Sequence, residues 1–372
     1  MTTTLHAAPE PSRSSPRHDD GGLFDRLGDL RALAVLRIAL GPITLLHLAP
    51  FLSDASAGIH YDDHFWHPFA SWAPRPSGEL WAALLWVGAA SAVLMACGVL
   101  TRLTTFTTFA VVAGNLLLSQ THFRHNRAFL AILLGVLCLL PTGRWISFDA
   151  WRRRRQRRPA PPPTAPTWPL VLLRVQVSLV YLASGFSKLV DSDWSSGLVL
   201  WDRAVRYQHV IHPAPSWLVD LLTWRGLYYV VAPGAILTEL FLAGGLWWAR
   251  TRLAAIGVAI VFHLTIEISS SVEVFSYAAI AALIIWVTPA ARDRTVRLRS
   301  SSAAARRLAV ALRYLDWFGR FRVEPAVGDD PAITVVDRDG TIRVGRPAAR
   351  LILSRLPATF LAAPLASLER HR

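Results

Sequence analysis

Long apolar runs, each broken by a short polar or arginine-bearing segment, fill the first 290 residues of this 372-residue chain. They lie near 31–53, 80–100, 103–121, 128–146, 168–188, 231–249, 252–269 and 273–289. Each approaches the roughly 20 residues a helix needs to cross about 30 Å of hydrocarbon. The pattern predicts an all-α polytopic membrane helix bundle of about eight spans, with 214–230 as an interfacial helix. An even number of spans puts both chain ends on one side. After residue 290 the period changes. Residues 333–344 alternate around Asp339-Gly340, a hairpin signal, and a helix over 348–356 follows. Residues 291–372 are therefore expected to form a small C-terminal cytoplasmic α/β domain. Residues 1–28, rich in Pro, Ser, Thr and Asp, read as a disordered cytoplasmic tail. The transmembrane domain then runs over 29–290, with a Pro-rich cytoplasmic linker at 152–167 dividing two groups of four spans.

Composition agrees with lipid as a surrounding. Hydrophobic residues make up 53% of the chain and charged ones 17%, against about a quarter charged in soluble domains. The net charge of +14 comes from arginines lying mostly between the apolar runs. They are dense in the N-terminal tail, at Arg102, from Arg152 to Arg158, at Arg250 with Arg252, and from Arg292 onward. The alternate segments carry only Arg75, Arg124, Arg127, Arg203, Arg206 and Arg225, spread over more residues. An excess of arginine marks cytoplasmic loops, so a multi-pass protein of the cell membrane with both termini cytoplasmic is expected. No basic module interleaved with aromatics is present, which argues against nucleic acid as a partner. Asp54-Ala55-Ser56-Ala57 weakly resembles a signal-peptidase site, but the long polar tail before the first run favours an uncleaved anchor. Cys97 and Cys138 stand inside apolar runs at no metal or redox spacing and read as packed thiols.

One lysine, Lys188, stands among 39 basic residues. Arginine stays protonated in proteins, whereas a lysine can give up its proton when desolvated. A snorkelling anchor needs only charge, which arginine also supplies. A single retained lysine at the end of the fifth run therefore points to a required amine. Arg174, Tyr181 and Lys188 are spaced by seven and share roughly one helix face. Ser184 and Gly185 beside them are small enough for another helix or a flat ligand to approach. His125 opens the fourth run, with His122 just outside it. His263 and Glu267 are four apart on one face of the seventh, and Glu239 lies in the sixth. Ionisable groups at membrane depth face a cavity or a partner. For His263 a helix–helix hydrogen bond and catalysis weigh equally, and for Glu239 a structural role is favoured. The loop 59–67 carries His60, His64, His67, Asp62 and Asp63. It could hold zinc, but interfacial aromatic packing is the stronger reading, so no metal is expected.

At these residues the chain resembles the bacterial HTTM family, whose membrane domain is shared with vitamin K-dependent gamma-carboxylase. The resemblance rests on Gln176, Tyr181, Gly185, Lys188-Leu189, Asp193-Trp194 and Gly197. It continues in His125, Ser147-Phe148-Asp149, His263 and Phe275-Ser276-Tyr277. In that carboxylase a lysine deprotonates a reduced naphthoquinone, oxygen converts the quinone to a strong base, and a glutamate side chain is carboxylated. The resemblance implies Lys188, His125 and His263 as catalytic residues, and Tyr181, Ser184, Gly185, Trp194 and Glu267 around a reduced, menaquinone-like quinone. The large non-cytoplasmic domain that holds the carboxylase's protein substrate has no counterpart here. A quinol-dependent membrane enzyme acting on a peptide or small molecule at the non-cytoplasmic face is thus the expected function. The alternative is a non-catalytic membrane partner or peptide-toxin maturation factor working with a small membrane or secreted protein. The segment from Leu315 to Pro357 resembles a DCC thiol–disulfide domain without its two cysteines.

Overall fold

The structure, a computed structural model, describes residues 27–29, 31–63, 66–69, 72, 75–159, 164–206, 215–270, 272–287, 294–316, 320–326, 331–337 and 340–356. The predicted tail before residue 27, His64 and much of the 159–167 proline stretch lie outside the described residues.

The chain is mostly helical. Strand β1 (Leu27–Asp29) precedes α1 (Arg31–Ser56), α2 (Gly78–Cys97), α3 (Thr101–Leu118) and α4 (His125–Cys138). A 3-10 turn (Thr142–Arg144) and α5 (Phe148–Arg155) lead to β2 (Thr164–Pro166). The second half holds α6 (Trp168–Val190), α7 (Ser192–Ser195), α8 (Leu198–Arg206), α9 (Ser216–Thr223), α10 (Arg225–Gly245), α11 (Arg252–Ser270) and α12 (Phe275–Ala282), which continues as a 3-10 turn (Leu283–Trp286).

Each of the eight apolar runs coincides with a helix, and among the described residues four helices, α1, α2, α6 and α10, are long and apolar enough to cross a membrane. α3 and α4 fall short for separate reasons. α3 is rich in threonine; Thr105 and Thr108 satisfy their hydroxyls by donating to the carbonyls of Thr101 and Thr104 at 2.6 and 2.7 Å. α4, expected over 128–146, has 14 residues, about 21 Å at 1.5 Å per residue. It ends ahead of Pro141, where a helix loses its donor. α10 starts at Arg225, six residues before the predicted span, because the expected interfacial helix over 214–230 is interrupted at Trp224 and only α9 occupies its first part.

One core joins both halves, from Leu33, Leu36 and Leu40 of α1 to Leu173, Val177 and Tyr181 of α6 and Ala255, Ile256 and Ala259 of α11. The opposite faces are also apolar: along α6, Leu172, Val175, Leu179, Leu182 and Phe186 are all exposed. Helices apolar on both faces suit a hydrocarbon surrounding. Cys97 departs from expectation, since it is exposed rather than packed inside.

Hydrogen bonds sort the connections to two ends of the bundle. At one end β1 pairs antiparallel with β2, Arg37 donates to the carbonyl of Ile146 at 2.6 Å, and Asp149 braces the α2–α3 turn. Its Oδ1 accepts from Leu100 N, and its Oδ2 from Thr101 N and Oγ1. At the other end Trp66 Nε1 donates to Leu118 O and Arg127 clasps Glu273. Among the described residues the segments around Arg102 and Arg152 thus share one end, and those around Arg124 and Arg127 the other. The Asp149 brace carries a pH signature. Burial alone would raise its pKa, but the bonds from Thr101 and Leu100, with Arg153 nearby, outweigh it and hold the carboxyl below its ordinary value. Such a group stabilises the fold above its unfolded pKa, about 4, and that contribution is lost as pH falls through the lower folded value. Thermal midpoints of the wild type and Asp149→Asn are expected to differ at pH 6 and to converge below about pH 4.

The C-terminal unit has its own core, including Val296, Val335, Ala348 and Ile352. Strands β3 (Arg294–Leu298), β4 (Phe321–Pro325), β5 (Ile333–Val336) and β6 (Ile342–Val344) form a sheet in the order β4-β3-β5-β6. β3 and β4 are parallel, with α13 (Ala303–Leu315) between them in sequence. The predicted β5–β6 hairpin is present, with Gly340 at φ 79°. Helix α14 (Gly345–Leu353) begins three residues earlier than predicted.

Candidate functional site: a lysine–glutamate pair at one end of the bundle

The segment from Gly185 to Gly197 builds the site. A Cβ placed on Gly185 would lie 3.0 Å from Leu240 Cδ2 and 3.3 Å from Glu239 Cβ. The missing side chain lets α6 and α10 pack closely, bringing Lys188 within reach of Glu239. Lys188 Nζ donates to Glu239 Oε1 at 2.6 Å and to Ser184 Oγ at 3.0 Å. Ser184 Oγ donates in turn to the same Oε1 at 3.1 Å. Asp191 then stops the helix: its Oδ1 accepts from the backbone N–H of Asp193 and Trp194, turning the chain back so that the Trp194 ring lies under Lys188 Nζ at 4.8 Å from its centroid. Gly197, at φ 77°, seats this turn on Tyr228, whose carbonyl oxygen a Cβ would approach to 2.5 Å. A side chain of any kind would clash here and strain the backbone, so the position requires glycine.

Lys188 and Glu239 are largely withdrawn from solvent, with side-chain exposures of 16% and 6%. Two turns deeper on the same face of α6, Tyr181 Oη and His263 Nε2 share a hydrogen bond of 2.8 Å. Both residues are buried. Phe275 packs edge-on against the His263 ring at 5.5 Å and against Phe129 at the same distance. Tyr277 lies against Glu267. Three polar atoms here are buried without a hydrogen-bond partner among the described residues: Glu239 Oε2, His263 Nδ1 and Glu267 Oε2. Arg174, the third member of the seven-residue series, does not join them; it donates to the carbonyl of Ile285 at 2.7 and 3.1 Å and caps the Trp286 ring. A leucine at position 185 is expected to push α10 away at a cost of about 1–3 kcal/mol. Thermal unfolding would read that loss, and a crosslink between cysteines placed in α6 and α10 would read the separation.

The structure therefore joins Lys188, Ser184, Gly185, Trp194 and Glu239, with Tyr181, His263 and Glu267 beyond them. His125 stands apart. It is exposed at the start of α4, edge-on to Phe123 at 5.6 Å, and no contact among the described residues links it to Lys188 or His263. Glu239, which the sequence favours as a structural group, is the direct partner of the amine. Ser147 and Asp149 lie at the opposite end, where Ser147 Oγ caps α5 by accepting from Ala150 N. In the 59–67 loop Tyr61 donates to Pro76 O, Arg75 pairs with Asp62, and His60 N is bound by Asp63. Among the described residues no group of three His, Cys, Asp or Glu could hold a metal ion.

A second ionic cluster occupies the same end of the bundle. Arg127 binds Glu273 through Nε and Nη2 at 2.8 and 3.0 Å and stacks on Phe51. Among the described residues two of the cavities lie away from Lys188. One, of about 270 Å³, is apolar and lies between α2 and α3. The other, of about 770 Å³, lies at the arginine-rich end.

Apolar outer faces around buried ionic pairs define a helix-bundle membrane protein, in which the sole lysine is held by a carboxylate from another helix. The chain belongs to the HTTM family, since the family model of the HTTM domain matches residues 26–290. The C-terminal sheet lies outside that match. No curated protein and no solved structure matches the chain.

Proposed function

We propose that this chain is a multi-pass membrane enzyme in which Lys188 and Glu239 together accept a proton from an acidic hydroxyl of a lipid-soluble ligand. The ligand class is a reduced, menaquinone-like quinone, and the reaction modifies a peptide or small molecule at the non-cytoplasmic face. In this reading all eight helices of the bundle cross the membrane, the arginine-rich end and both termini face the cytoplasm, and Lys188 lies near the outer surface. The observation that carries the reading is the 2.6 Å contact between the only lysine and a carboxylate buried in an apolar helix.

The pair works as a unit. A lysine ammonium alone cannot take a proton; Lys188 first passes one to Glu239 Oε1 and then, as a neutral amine, accepts the one the ligand gives up. The pair then changes from neutral to singly positive, and that charge stabilises the oxyanion left on the ligand. Ser184 fixes the amine and the carboxylate in one geometry. Trp194 keeps the ammonium over an aromatic face, a contact that favours a cation. The residues fit a hydroxyl-bearing, flat lipid: Glu239 Oε2 and His263 Nδ1 are buried positions without a protein partner, and Leu182, Phe186 and Leu189 beside them are exposed and apolar. When bound, a reduced quinone would supply the reducing power that activates oxygen. Tyr181 holds His263 in one orientation, leaving Nδ1 to meet the ligand.

Mass spectrometry of lipids retained by the detergent-extracted protein tests this reading. An isoprenoid quinone is expected in the wild type and not in Lys188→Ala or Glu239→Gln. Equal retention in all three, or retention of a small partner protein and no quinone, would replace it with the partner reading.

A further inference from the structure

At the opposite end of the bundle lies a cavity of about 770 Å³ lined by Arg102, Arg144, Arg152, Arg153 and Arg158 with a single carboxylate, Asp149. Three separate elements deliver these guanidinium groups: the start of α3, the 3-10 turn at Thr142–Arg144, and α5 with the residues after it. Asp149 can offset only one of these five charges, and its oxygens also accept from the backbone of Leu100 and Thr101 and from the Thr101 hydroxyl. Among the described residues Arg102, Arg144, Arg152 and Arg158 form no ion pair. Arg153 spends one N–H on the carbonyl of Gly143 at 2.8 Å, and its Nε is buried with no partner. Arginines that merely mark the cytoplasmic side of a membrane need not converge on a concavity. These do.

The rim decides what fits. Leu100 and Leu103 line the same cavity and are 58% and 61% exposed. Leu100 is held outward by its left-handed backbone, φ 46°, at the cap of α3. A basic floor beside exposed leucines, where helices leave the apolar layer, matches an amphiphile carrying a phosphate ester. We infer that this cavity binds the headgroup of an anionic phospholipid, with guanidinium groups on the phosphate oxygens and Leu100 and Leu103 against the first acyl carbons. The site is distinct from the Lys188–Glu239 pair and lies at the other end of the bundle. Its occupancy would fasten α3 to α5 across the turn that Asp149 already braces.

The test uses the full chain in a neutral detergent, followed by thermal unfolding while phosphatidylglycerol, phosphatidylcholine or inorganic phosphate is added. Phosphatidylglycerol is expected to raise the midpoint saturably, and the other two are not. The triple variant Arg102→Gln/Arg144→Gln/Arg152→Gln removes exposed or half-buried charges that make no internal ion pair. It is expected to weaken the phosphatidylglycerol response by about tenfold or more, from a contribution of roughly 1 kcal/mol per basic residue. If that variant fails to fold, raising the salt tenfold on the wild type must weaken the response comparably. An equal shift with phosphatidylcholine, or a response indifferent to both the variant and salt, overturns the proposal. An equal shift with inorganic phosphate overturns the lipid assignment and leaves a site for a free anion.

Discussion

Lys188→Arg is expected to reduce proton uptake from a bound acidic hydroxyl by about 10²–10⁴-fold, the usual contribution of a positioned acid–base group. The protein should still insert and fold. Arginine preserves the positive charge, can bond the Glu239 carboxylate, and can cover the Trp194 face that lies 4.8 Å from Nζ. It cannot pass a proton to Oε1, because guanidinium remains protonated in proteins. A charge-keeping substitution thus separates two roles of Lys188, the structural counter-charge and the proton carrier. A purely structural lysine would leave uptake and ligand retention unchanged in this variant.

Stability should respond in the opposite pattern. Lys188→Met leaves Glu239, 6% exposed at its side chain, without a counter-charge. Breaking a buried pair from one side costs about 3–5 kcal/mol. The double variant Lys188→Met/Glu239→Leu removes both charges and should recover most of that loss, because an apolar pair of similar volume meets no desolvation penalty. Urea or thermal unfolding in detergent, read for both single variants and the double, forms a cycle that isolates the coupling. The double variant is expected to be folded and inactive. A double variant whose loss equals the sum of the two single losses would mean that the two side chains do not act on each other.

Much of this arrangement is legible in the sequence, for reasons that can be assigned residue by residue. Apolar runs mark the helices because hydrocarbon permits few alternatives. Their ends are less well marked, since Gly98 in the left-handed region and Pro141 stop α2 and α4 by backbone geometry, which hydropathy does not sense. Lys188, Tyr181 and His263 stand out as ionisable or polar groups inside apolar surroundings, and the structure sets Tyr181 against His263 two turns from Lys188. Glu239 was open to the same inference. A lone carboxylate at membrane depth needs a counter-charge, and the chain offers one lysine. What hid the pair is separation: its members stand 51 positions apart, and only the approach at Gly185 closes that gap. Trp194 carries a motif position but no spacing that reveals its place beneath the amine. His125 shows the reverse, a motif position that packs on Phe123 and stays outside the cluster. The basic cavity is invisible to any local pattern, because its arginines mark topology in the sequence and converge only after α3 and α5 pack.

The most direct measurement is the absorbance of an apolar naphthol-type quinol added anaerobically to the protein in nanodiscs, where the band position reports whether a hydroxyl proton has left. In the wild type at neutral pH the bound probe should have given up its proton under conditions where the free probe retains it. Lys188→Arg and Glu239→Gln should leave it protonated. A probe that binds the wild type and keeps its proton, or loses it equally in all three proteins, would contradict a proton-accepting role for the pair.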